Sequence, residues 1–175
     1  TSATLSEKAP FICCWLAVCI HVPCSAGNHL FLPISEKVSS LWRKLDVGAI
    51  FVACSFQTFS FSFYVLQRQI VSVLVTVSLF VCLTALYFVQ KQNYSSGEVN
   101  RKVNTVGVGI AVAFYLVPLF YEAHATFRCF PFVAAYGVTF SLGLGGCLFA
   151  LNWPERRQER TFDICGQSQQ LMHVT

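Results

Sequence analysis

The sequence predicts an all-α fold, a polytopic bundle of transmembrane helices, and three observations carry that prediction. Of the 175 residues, 55% are hydrophobic and only 11% charged, with a mean hydropathy of +0.58, against about 25% charge in a typical soluble domain. The charges fall in short clusters that leave uncharged runs at 9–35, 47–67, 69–90, 103–121 and 129–154. Each run matches the about 20 residues that a helix needs to cross the roughly 30 Å hydrocarbon core. Such a chain is neither a water-soluble globule nor a disordered segment, which requires low hydrophobicity and high charge. The net charge of +4 suggests nucleic acid only until the charges are located between the apolar runs. Membrane lipid is the expected surrounding, and no nucleic-acid partner is expected.

Taken in order, the spans are expected at about 10–32, 47–67, 69–90, 103–121 and 130–152, with a truncated sixth opening at about 165 and reaching 175. Residues 1–175 read as a single transmembrane domain. The start at Thr1 and the single methionine, Met172, lead us to expect a fragment. The first span lacks the basic flank of a signal peptide, having only Lys8 before it. Pro23 and Pro118 are expected to kink their helices, which a bundle tolerates when neighbours satisfy the freed carbonyls. The glycines of 141–147 (Gly143, Gly145, Gly146) lack the Lys-Ser/Thr that would complete a phosphate loop. With Gly107 and Gly109 they read as small residues that let helices approach closely. The nine cysteines lie mostly inside apolar runs and form no CxxC pair, so they read as small hydrophobes.

Loop charge alternates. Lys37, Arg43 and Lys44 follow the first span, Lys91, Arg101 and Lys102 the third, and Arg156, Arg157 and Arg160 the fifth, while the alternate loops hold only Arg68 and Arg128. The positive-inside rule places the basic loops in the cytoplasm. The sequon at Asn93 then lies on the cytoplasmic side and is expected to carry no glycan.

Ionisable groups at membrane depth are costly and mark function by default. His29 lies near the inner end of the first span, with Ser25 four residues before it and so on the same helical face. Asp46 opens the second span from that side. Gln169 and His173 repeat the i, i+4 spacing at the start of the truncated last helix. Imidazoles and a carboxylate suit Zn²⁺, and an open coordination position would activate a water for hydrolysis. The plainer alternative makes His29 a satisfied helix-end histidine and Asp46 an N-cap at the membrane surface. His21 and His124 read as structural.

Ser25-Ala-Gly-Asn-His29, then Leu45-Asp46 after Trp42-Arg43-Lys44, resembles the Ser-x3-His…Asp motif of the progestin and adipoQ receptor (PAQR) family. Trp153-Pro154-Glu155-Arg156 and the stretch from Phe162-Asp163 through Gly166 and Ser168 to His173 resemble its second signature. The match spans nearly the whole chain, and the two motifs together are specific. The resemblance implies a seven-helix receptor with a cytoplasmic N-terminus, of which this chain holds helices two to six and the start of seven. It further implies zinc held by His29 and His173, with Gln169 standing where the family has histidine, and Asp46 reaching the metal through water or directly.

The first functional expectation is therefore a receptor for a hormone or lipid ligand, with a zinc-dependent, ceramidase-like lipid-amide hydrolase site. In that site Asp46 orients or deprotonates a water and Ser25 hydrogen-bonds near it. The alternative is a non-catalytic membrane scaffold with a degraded site that works through a cytoplasmic signalling protein at residues 35–44; Gln169 favours it. A transporter ranks last for want of mid-span charge. The expected location is the plasma membrane or the Golgi, the latter because His29-Leu-Phe…Ser35-Glu-Lys…Trp42 resembles the Golgi-resident branch.

Overall fold

The computed structural model describes residues 5–31, 34–91, 101–126, 129–151 and 153. They form five helices and no strand: α1 (Leu5–Phe31), α2 (Glu36–Val65), α3 (Arg68–Lys91), α4 (Arg101–Thr126) and α5 (Cys129–Leu151). Each holds a stretch long and apolar enough to cross a membrane. The Asn93 sequon, Arg128, the segment 154–160 with its arginines, and the last apolar stretch with Cys165, Gln169 and His173 lie outside the described residues.

α2 starts well before the uncharged run at 47. The Ser35 hydroxyl accepts the N–H of Val38 at 3.3 Å, and Glu36 occupies the first turn, where a carboxylate complements the helix dipole. Ser35 is therefore the N-cap. Asp46 lies inside the helix, and its reading as a cap is corrected. α2 ends at Val65, and the two-residue turn Leu66–Gln67 sends α3 back antiparallel.

Among the described helices, α2 is central, touching α1, α3 and α4, while α5 packs on α4 alone. Its mean hydropathy of 1.4 is the lowest of the five, yet half of its span is buried, the largest share. Packing inside a lipid solvent favours small and hydroxylated residues over greasy ones. The hydroxyls of Ser55, Thr58, Ser60 and Ser62 donate to the carbonyls of Phe51, Cys54, Phe56 and Thr58 one turn back, at 2.6–3.0 Å, so they enter the interior already satisfied. Ser60 also lies 2.8 Å from the Pro10 carbonyl of α1, and the Ser78 hydroxyl of α3 reaches Thr58 Oγ1 at 3.4 Å. Polar contacts between membrane helices average about 0.6 kcal/mol. Thr58→Val is expected to cost about that much, read as unfolding free energy in detergent.

Phe51 and Cys54 of α2, Cys82 and Val89 of α3, and Ala111 and Tyr115 of α4 form the buried core. All eight described cysteines are free thiols. Pro23 and Pro118 lie inside helices that continue through them, as does Pro10. The glycines expected at close helix contacts need correction. A Cβ on Gly107 would meet Phe51 at an ordinary 3.6 Å, and on Gly109, Gly143 or Gly146 it would meet nothing described within 4 Å. Gly145 is buried. The tight approaches are at Gly48, whose Cβ would come within 3.1 Å of Leu86, and at Gly27 beneath Trp42. The reason is the packing order: α5 has one described neighbour, whereas α2 has three.

The α2–α3 hairpin fixes which described charges share an end of the bundle. Lys44 Nζ donates to the Gln90 carbonyl at 3.0 Å, and the Lys91 ammonium lies 4.4 Å over the Tyr87 ring. The start of α2 and the end of α3 thus share one end, with Arg68 at the other.

Candidate functional site

α1 runs antiparallel along α2 in a register fixed at four points. The Tyr64 hydroxyl donates to the Glu7 carbonyl, Ser60 reaches Pro10, Asn28 meets Asp46, and Phe31 lies 4.9 Å from Trp42, ring to ring. Pro10, Cys14, Ala17, His21, Cys24 and Asn28, spaced by fours and threes, make up the face turned to α2; each is buried or half-buried. This is the seam periodicity of two helices packed side by side.

Asp46 meets that seam in its polar half. Asn28 Nδ2 donates to Asp46 Oδ2 at 2.9 Å, and Asn28 is 4% exposed. His21 Nε2 lies 3.9 Å from Asp46 Oδ1, with side-chain exposures of 37% and 13% respectively. That distance suits an ion pair when the imidazole is protonated but is too long for a hydrogen bond. The amide of Asn28 has one sensible orientation, since a flip would set two acceptors face to face. Its Oδ1 is thereby left buried and without a partner among the described residues. At the end of the seam the Trp42 ring sits against Gly27 and packs on Phe31 at 33°. Only a residue without a side chain leaves room for the indole there.

The motif residues divide between two faces. Ser25 is half-buried near the seam. His29 is exposed and continues the stripe of Phe11, Trp15, Val18 and Val22, which are 51–69% exposed, on the side of α1 that the described helices leave uncovered. The contacts of Asp46 among the described residues are with Asn28 and His21. Among the described residues no three His, Cys, Asp or Glu side chains converge as a metal cage, and the other two candidate ligands, Gln169 and His173, lie outside them. His124 fits its structural reading, 3.1 Å from the Tyr136 hydroxyl and edge-on to Phe132.

Sequence reasoning passed over Asn28 and did not connect His21 with Asp46. The available signal was their separation of seven residues, which puts both on one face of α1.

Five membrane-length helices, with hydroxyl-rich α2 at their centre and a carboxylate-centred polar cluster between the first two, define a multi-pass integral membrane protein. The sequence model of the haemolysin-III related family matches residues 1–175, and the chain belongs to that family. No curated protein matches it.

Proposed function

We propose that this protein is a receptor of the PAQR type for a hormone or lipid ligand, built around a lipid-amide hydrolase site of the ceramidase kind. The observation that carries this reading is the half-committed carboxylate of Asp46. Its Oδ2 is held by Asn28 at 2.9 Å, while among the described residues Oδ1 meets only His21, at 3.9 Å, which is too long to be a hydrogen bond. A partly buried carboxylate with one oxygen anchored and one open is suited to take a proton from an attacking water.

The donor chemistry fits zinc. His29 and His173 would hold it, with Asp46 directly or through water, and Gln169 would offer an amide oxygen, a poorer ligand than imidazole. Zinc, when bound, supplies Lewis acidity toward the amide carbonyl. Within the chain, Asn28 fixes the carboxylate, Asp46 accepts the proton, and Ser25 hydrogen-bonds near the water. The uncovered apolar stripe of α1 gives an acyl chain a wall to lie against.

Gln169 favours a second reading, a scaffold or signalling regulator with a degraded site that acts through the basic segment 35–44. Zinc analysis and amide turnover of the purified full-length protein separate the two. Stoichiometric metal with turnover, both lost in His29→Ala, supports the hydrolase. Metal and turnover that appear only in Gln169→His mark a degraded enzyme. No metal in either form removes the zinc site.

A further inference from the structure

Between α2 and α3, at the end of the bundle away from Asp46, lies a cleft of about 360 Å³ lined by Phe59, Phe63, Arg68, Ser72, Val75 and Thr76. That volume is within the range of small-molecule sites. Its two walls differ in chemistry. Phe59 and Phe63, one turn apart on α2, stack edge to face with centroids 5.6 Å apart. On α3, Arg68, Ser72 and Thr76 form a ridge at i, i+4, i+8. Thr76 gives its hydroxyl to the Ser72 carbonyl at 2.7 Å, so the cleft is polar at the Arg68 mouth and apolar within.

Among the described residues, no carboxylate is paired with the charge at that mouth. Arg68 is exposed, and the first turn of α3 holds no acidic residue. The negative end of α2 and the positive end of α3 meet at the two-residue turn, so their dipoles largely cancel and leave the guanidinium as the main charge that the described residues place at this mouth. A guanidinium takes a phosphate through two parallel hydrogen bonds. At the rim of a membrane, a lone Arg above a phenyl-walled cleft matches one class of molecule.

We propose that this cleft binds an anionic phospholipid, its phosphate on Arg68 and an acyl chain between Phe59–Phe63 and the α3 ridge. An exposed ion pair contributes up to about 1 kcal/mol, which corresponds to about fivefold selection of a net-anionic over a zwitterionic lipid. The test is native mass spectrometry of the full-length protein taken from micelles containing equal phosphatidylglycerol and phosphatidylcholine of the same chain length. About fivefold enrichment of phosphatidylglycerol among retained lipids is expected. Arg68→Gln should bring the ratio to parity, and Ser72→Trp, which fills the cleft from an exposed position and keeps Arg68, should abolish retention; circular dichroism confirms that each variant remains helical. Enrichment that survives Arg68→Gln overturns the proposal. So does enrichment lost in Arg68→Gln but kept in Ser72→Trp, which would mean attraction to a surface charge without use of the cleft.

Discussion

Asn28→Leu is expected to lower the unfolding free energy of the full-length protein in detergent by about 3 kcal/mol. A hydrogen bond to a charged group contributes about 1.5–3 kcal/mol, and stripping the partner from a buried charge costs about 3–5. The 13% exposure of the Asp46 side chain places the loss toward the lower part of that second range. Two further variants separate packing from chemistry. Asp46→Asn keeps an oxygen for the Asn28 amide to donate to, so the fold should hold within about 1 kcal/mol while any zinc binding and amide turnover disappear. The exchange Asn28→Asp with Asp46→Asn restores the carboxylate–amide pair but moves the charge to α1. It should recover most of the stability lost in Asn28→Leu and none of the chemistry. Loss of stability in Asp46→Asn equal to that in Asn28→Leu would show that the carboxylate serves packing alone.

The second large effect is expected at Gly27. A Cβ there would clash with three atoms of the six-membered ring of Trp42, and nothing short of moving the indole relieves the overlap. Overpacking a filled site costs about 1–3 kcal/mol, and displacing Trp42 also breaks its contact with Phe31. Gly27→Val should therefore cost about 3 kcal/mol and shift the Trp42 emission to the red as the ring enters a wetter setting. The penalty should fall by more than half in a Trp42→Leu background, because the clash and the ring are removed together. Equal penalties in the two backgrounds would disconnect Gly27 from Trp42.

The architecture was legible because lipid imposes a length and an apolarity that any crossing segment must meet. The uncharged runs display both. The polar cluster was legible only in part, and the reason is register. Ser25, His29 and Asp46 stand out by residue type, but which of them meet depends on where α2 begins. The Ser35 cap starts that helix well before the apolar run, so Asp46 sits inside α2 opposite the stretch from His21 to Asn28. Reading Asp46 as the opening of a span set His21 too far away. The glycines of α5 make no tight contact among the described residues apart from buried Gly145: small residues permit close packing, but only a neighbouring helix uses it.

The tight connection at Leu66–Gln67 has a consequence for how the protein is made. Two residues cannot let α2 and α3 part company, so the pair must enter the bilayer as a preassembled hairpin. α2 is the weaker partner, with a mean hydropathy of 1.4 against 2.4 for α3, and its Ser- and Thr-rich stretch gives it a modest claim on lipid by itself. Joined to α3, it is carried in by the more apolar partner. Lengthening this turn with a flexible insert should therefore leave a share of chains with α2 stranded outside the translocon's lateral exit.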